Sequence, residues 1–185
     1  MNVDQQIVEW LNQNRLKQLD PFFIFITDTA SFIAYLIPLL LVVYGFYKRS
    51  DYLKFLAVQI LCAILLSTLL VTVIKNLIRR QRPFIMDHLI HKLSVGGGYS
   101  FPSGHTADAV VTAVSVTLVI YARKWLLAPL WLWACLVAYS RMLLGVHYPT
   151  DLAGAAVIAS FCAILIFFLF KKKRDQLFKK QQFLL

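Results

Sequence analysis

KNLIRRQRP (Lys75–Pro83), YSFPSGHT (Tyr99–Thr106) and SRMLLGVHYPTD (Ser140–Asp151) are three polar islands in a very apolar chain. Each borders a run long enough to cross a bilayer, which takes about 20 apolar residues as a helix. Phe55–Ile74 carries no charge and leads into the first island. Ser103–Ala122 leaves the second, Trp125–Val146 ends in the third, and Asp151–Phe170 follows it. Pro149 breaks the chain between the last two spans and opens the final helix. Further upstream, Phe22–Tyr47 is another span, interrupted by Asp28 and Pro38. The polar interval 79–101 ends in Gly96-Gly97-Gly98 and must lie outside hydrocarbon unless protein buries it.

The composition agrees with this reading. Of 185 residues 59% are hydrophobic, and the mean hydropathy is +0.68. A soluble domain is nearer half apolar, so the excess places the chain in a membrane. No period-2 pattern suits a barrel, so the spans are helices. The expected fold is all-α: a polytopic transmembrane helical bundle of five or six helices, forming a single domain over 1–185. Residues 1–20 place Val3, Ile7, Trp10 and Leu11 at helical spacing. They predict an amphipathic helix on the membrane surface. A short helix packed on the loops is the competing reading. The same segment holds Asp4, Glu9 and Asp20 and no apolar core, so no secretory signal peptide is expected. Cys62, Cys135 and Cys162 all fall inside apolar runs, with neither metal spacing nor a disulfide framework.

The net charge of +10 would suggest nucleic acid in a soluble protein. Here the cations flank apolar runs, so anionic headgroups are the expected partners and nucleic acid is not. Five spans put the chain ends on opposite sides of the bilayer. One side collects Lys48, Arg49, Lys54, Arg123, Lys124, Lys171, Lys172, Lys173, Arg174, Lys179 and Lys180. The other collects only Arg15, Lys17, Arg79, Arg80, Arg82 and Lys92, with Lys75 and Arg141 at span ends. The positive-inside rule then makes the basic tail, 171–185, cytoplasmic and the N-terminus external. By the same parity all three islands lie on the outer face. Counting spans made no use of the motifs, so their meeting on one face is independent support for a site.

The residue types suit an oxyanion. Lys75, Arg82 and Arg141 are ionisable groups at membrane edges, where unpaired charge is costly. Arg offers a bidentate fork to phosphate oxygens and Lys a point charge. Seven residues, about two helical turns, would put Lys75 and Arg82 on one face. Arg79 and Arg80 read as snorkelling side chains. Ser103 can cap the helix that it opens, Gly104 lets a ligand approach the backbone, and free N–H groups at a helix start bind anions. His105, in that first turn, has the chemistry of a general acid. His147 and Asp151 are four apart. A carboxylate on one ring nitrogen fixes the tautomer and leaves the other nitrogen free to attack. A metal held by His105, His147 and Asp151 is the competing reading. Three cations in the same pocket would repel it, so neither a metal nor a cofactor is expected. His88 and His91 read as solvated loop residues. Asp108, one turn after His105, could pair with His105, meet Lys75, or sit solvated.

The three islands closely resemble the signature motifs of the type 2 phosphatidic acid phosphatase superfamily, which also contains the vanadium haloperoxidases. Lys75, six residues, then Arg82-Pro83 matches the first motif. Pro102-Ser103-Gly104-His105 matches the second, and Ser140-Arg141, five residues, His147, three residues, Asp151 matches the third. The resemblance implies a membrane phosphatase that cleaves lipid phosphate esters or diphosphate anhydrides without metal. His147 would form a phosphohistidine with Asp151 orienting it, and His105 would protonate the leaving oxygen. Lys75, Arg82, Ser103, Gly104 and Arg141 would hold the phosphoryl oxygens. Undecaprenyl diphosphate is the leading substrate, ahead of phosphatidylglycerol phosphate, phosphatidic acid and lipid A phosphate. A lipid phosphotransferase and a lipid-phosphate binding or transport protein are the alternatives. Many membrane members have six spans, against five here plus a surface helix.

Overall fold

A computed structural model describes residues 2–119 and 124–182. Among these there are helices and loops and no strand. The α-helices are α1 (Val3–Gln13), α2 (Asp20–Tyr47), α3 (Asp51–Ile78), the single turn α4 (Pro83–Met86), α5 (Gly104–Val119), α6 (Ala128–Leu143), α7 (Pro149–Leu169) and α8 (Lys171–Gln182). The stretches Lys17–Tyr47, Asp51–Met86 and Pro149–Leu169 are long and apolar enough to cross a bilayer. Helix α6, 16 residues long, is shorter than the apolar run that contains it, and α5 is described over Gly104–Val119. The cause at the α6 end is Gly145, whose φ of +74° turns the chain out of the helix. The turn expected at Arg123-Lys124 falls largely outside the described residues, as does the end of the tail.

Helix α5 is the hub, packing against α2, α3, α6 and α7. Its buried Ala107, Ala109 and Ala113 let the neighbouring helices approach closely, as small residues do in membrane bundles. One core cluster joins Ile60 and Ile64 of α3 to Val111 of α5 and to Ala155, Ala159 and Ala163 of α7. A second joins Ala30 of α2, Ala109 and Ala113 of α5, and Ala134 and Val137 of α6. Phe32, Leu39, Val43, Val157 and Phe161 stand exposed on the outside, the pattern of a surface solvated by lipid.

The terminal helices sit at opposite ends of this bundle. At one end, α8 folds back on α3 through Arg174, whose guanidinium lies 3.7 Å over the Phe167 ring and donates to Gln59 Oε1 and to the Phe167 carbonyl. At the other, α1 forms as expected and sits on the loops with its apolar stripe facing outward. The buried face is Val8 and Asn12, both fully buried, while Val3, Ile7 and Trp10 point outward. The polar side chain of Asn12 is matched on both sides. Its Nδ2 donates to the His91 and Leu143 carbonyls at 3.0 and 2.9 Å, and its Oδ1 accepts from His91 N at 2.7 Å. The helix therefore packs on the loops, and its apolar stripe is the face left free for an interface.

Candidate active site

The end of the bundle beneath α1 gathers all three islands. Helix α3 stops at Ile78 because Arg79 takes the left-handed conformation, φ +53°, and turns the chain. Arg82 precedes proline and is extended, as that position requires. Lys75 and Arg82 therefore do not share a helix face, contrary to the expectation. Lys75 stays in the last turn of α3, while Arg82 reaches the same centre from the following loop. The charges of Arg82, Arg141 and Asp151 all act on Lys75, and those of Lys75, Arg82 and Arg141 all act on His105.

Arg82 is 4% exposed, and nearly all its donors are committed. Nε donates to the Gly98 carbonyl at 3.1 Å, and Nη2 to those of Gly97 and Tyr99 at 2.8 and 3.3 Å. Nη1 donates to the Val146 carbonyl at 2.9 Å and lies 3.3 Å from His147 Nε2. A Cβ at Gly96 would come within 3.0 Å of that same Nη1. The glycine run is thus a backbone collar around Arg82, a role that composition did not reveal. Four ties fix the guanidinium, and its remaining N–H sits beside the ring nitrogen of His147.

Arg141 is similarly enclosed. Nη1 donates to Thr27 Oγ1 and Ser94 Oγ at 2.9 and 3.1 Å, and Nη2 to the Val95 carbonyl at 3.0 Å. Nε has no partner among the described residues. The spacing between Arg141 and His147 has a backbone cause. Beyond the α6 terminus the Arg141 carbonyl accepts from both Val146 N (3.1 Å) and His147 N (3.2 Å). At the start of α5, Ser103 Oγ accepts from Thr106 Oγ1 at 2.9 Å and, more loosely, from Thr106 N at 3.4 Å. Around Gly104 the space that a Cβ would take is open to 4 Å, so the helix start can be approached closely.

His147 is 1% exposed in the loop before α7. Its Nδ1 faces Asp151 Oδ2 at 3.4 Å, a long contact of the kind that tightens when a ligand arrives. Burial pushes its pKa down to about 3, opposed by the hydrogen bond that it donates to Asp151, with Arg141 and Arg82 adding to the depression. The ring is therefore neutral at physiological pH, with Nε2 unprotonated when Nδ1 carries the proton towards Asp151.

Asp151 is held from several directions. Oδ2 accepts from Tyr148 N at 2.8 Å, the reciprocal bond of a helix start, and from the buried Ser100 hydroxyl. Oδ1 accepts from Arg80 Nη1 at 2.8 Å. Neither Ser100 nor Arg80 stood out in the sequence, and Arg80 does not snorkel. The nearest signal was its place two residues before Arg82. Asp108 meets neither His105 nor Lys75. It accepts from Ser31 Oγ of α2 at 2.6 Å. Among the described residues, no three His, Cys, Asp or Glu side chains converge as metal ligands.

A family model described as the PAP2 superfamily matches residues 56–175. The chain belongs to the PAP2 superfamily. It is 31% identical over 162 residues to an undecaprenyl-diphosphatase of Bacillus subtilis, covering 86% of this chain and 77% of that protein. A lipid A 4'-phosphatase of Bacteroides thetaiotaomicron is 38% identical over 77 residues, which span 42% of this chain and only 34% of that protein. Among solved structures, a transmembrane PAP2 type phosphatidylglycerolphosphate phosphatase from Bacillus subtilis superposes with a TM-score of 0.76 at 26% identity, covering 91% of this chain and 85% of that one. This PAP2 protein is a multi-pass membrane protein, as its spans and these relatives together show.

Proposed function

We propose that this PAP2 protein is a metal-independent phosphatase for lipid phosphates or diphosphates, working through a phosphohistidine on His147. One observation carries the reading. Residues as far apart as Lys75 and Asp151 converge on one end of the bundle, so that the buried imidazole of His147 lies beside Arg82 and in the field of Arg141, while Lys75 acts on His105 and Asp151. His147 Nε2 attacks phosphorus while the bond to the leaving oxygen breaks, and His105 gives that oxygen its proton. Water then attacks phosphorus while the bond to His147 Nε2 breaks and returns its electron pair to the ring, His105 takes the water's proton, and inorganic phosphate leaves. Lys75, Arg82, Arg141 and the backbone around Ser103 and Gly104 hold the phosphoryl oxygens. Groups of this kind, fixed before the charge develops, contribute about 3–4 kcal/mol each in the transition state. Arg82 suits the task, because its one uncommitted N–H already lies beside the attacking nitrogen.

The site faces outward from the cytoplasm and the C-terminus inward, which the loop charges favour. At headgroup level a lipid phosphate reaches it laterally between helices. Undecaprenyl diphosphate is the favoured substrate, supported by the B. subtilis relative matched over most of both chains. The test is phosphate release in detergent, with chelator present, from undecaprenyl diphosphate, phosphatidylglycerol phosphate, phosphatidic acid and lipid A. Wild type is active and His147→Ala inactive. Activity abolished by chelator would overturn the metal-free mechanism, and turnover by His147→Ala would overturn the assignment of the nucleophile.

A further inference from the structure

Helix α1 touches none of the groups assigned to phosphate, yet it is bound to the loop that carries His147 on both sides. Its Asn12 bonds to the Leu143 carbonyl, where α6 ends. Its Asp4 bonds to Thr150, where α7 begins. Oδ1 accepts from Thr150 N at 3.3 Å, and Oδ2 from the Thr150 hydroxyl. Between these two ends Val8 packs in one cluster with Tyr148, the neighbour of His147. The eight residue-to-residue steps from Asp4 to Asn12 span about 12 Å of helix. The His147 loop is bridged over that distance.

The connection is also electrostatic. Arg80 Nη2 donates to Asp4 Oδ2 at 2.7 Å, and Nη1 donates to Asp151 Oδ1 at 2.8 Å. The same Nη1 donates to Thr150 Oγ1 at 2.6 Å, and the guanidinium lies 3.9 Å over the Tyr148 ring. One planar cation therefore joins a carboxylate of α1 to the carboxylate that faces His147. The Asp151 side chain is fully buried, whereas that of Arg80 is only 25% exposed. An arginine fork, with donors on both nitrogens and a stacked face, can fix the direction of a carboxylate in a way a point charge cannot. Asp151 uses its other oxygen for His147, so the angle set by Arg80 is passed to the imidazole.

We propose that Arg80 and Asp4 are positioning residues for the reaction: the chain Asp4–Arg80–Asp151 makes α1 part of the machinery that aims His147. This rests on His147 being the nucleophile. Steady-state phosphate release from undecaprenyl diphosphate by the purified full chain tests it, with rates normalised to folded protein. Arg80→Ala lowers kcat roughly tenfold to a hundredfold, the range for removing a partner behind a reactive ligand, while KM stays near wild type. Arg80→Lys restores part of the loss. Asp4→Ala lowers kcat less, and in an Arg80→Ala background it adds under about twofold, because the chain is already broken.

A raised KM with unchanged kcat would make Arg80 a substrate contact and overturn the proposal. So would an unchanged kcat in both single variants, or losses that multiply in the double variant. Where Arg80→Ala does not fold, Asp4→Asn is read by the same kcat-against-KM split. His147→Ala separates the two levels. If it is inactive while Arg80→Ala matches wild type, only the positioning proposal fails. If it retains activity, the assignment of the nucleophile fails and the proposal goes with it.

Discussion

Helices α1 and α8 are both short, polar and close to an end of the chain, yet they turn their polar groups in opposite directions. In α1 the polar side chains Asp4 and Asn12 point into the protein, where each finds several partners, and the apolar Val3, Ile7 and Trp10 point out. In α8 the arrangement is reversed. Lys171, Lys172, Lys173, Lys179 and Lys180 are exposed, and among the described side chains of α8 Arg174 alone is buried. A cation facing water at a membrane edge contributes through the surface field. A polar group buried against carbonyls and a guanidinium fixes geometry. The direction of the polar face, more than its amount, separates a helix tied by its polar groups to the loop of His147 from one that turns them to the outside.

Removing the group around which the site end is arranged gives the largest effect: His147→Ala lowers phosphate release by a thousandfold or more, about the loss expected of a missing nucleophile. Circular dichroism of that variant stays helical, since α8 and the bundle do not depend on it. Next comes Arg82→Lys. A lysine keeps the charge but cannot reproduce the ties to Gly97, Gly98, Tyr99 and Val146, so kcat falls roughly a hundredfold. Third, Asn12→Ala leaves the His91 amide and the Leu143 carbonyl without their buried partner. It lowers stability by about 1–3 kcal/mol, read as a drop in Tm.

Acid stability gives a smaller, graded effect. His147 has a folded pKa of about 3, below the roughly 6.5 of an unfolded histidine. Its contribution is complete above about pH 6.5 and is lost as pH falls from there through about 3, by at most roughly 1.4 kcal/mol per unit. Wild type therefore loses Tm more steeply than His147→Gln between pH 6.5 and 5. The smallest change is at the other end of the molecule. Lys179→Ala on the exposed face of α8 shifts stability by less than about 0.5 kcal/mol. A shift as large as that of Asn12→Ala would erase the distinction between the two helices.

The bundle was legible because apolar runs and their breaks are local properties of sequence. Phe22–Tyr47, Phe55–Ile74 and Asp151–Phe170 each lie within or nearly match an observed helix. The spacings of the three islands were also legible, and the structure gives one a physical cause: the Arg141 carbonyl caps the turn that ends in His147 N. What could not be read depends on contacts between distant residues. Asn12 meets Leu143 across 131 positions, and no periodicity encodes that. The apolar stripe of α1 faces outward as a surface helix requires, whereas the buried face of Val8 and Asn12 carries no such periodic signal. Arg80 looked like its neighbour Arg79 in sequence, but a left-handed turn at Arg79 sends the two to different surroundings. Asp108 found Ser31 because a helix absent from the three islands, α2, lies against that face of α5.

The clasp between Asp4 and Thr150 has a consequence for biosynthesis. Helix α1 is bound by residues that lie 76 to 146 positions further along the chain. Until α7 has been inserted, α1 has no Thr150 to hold and Arg80 has no Asp151. A nascent chain therefore passes through the insertion machinery with its reactive groups unassembled. His147 and Asp151 therefore meet the groups of α1 and α3 only when α7 has joined the bundle.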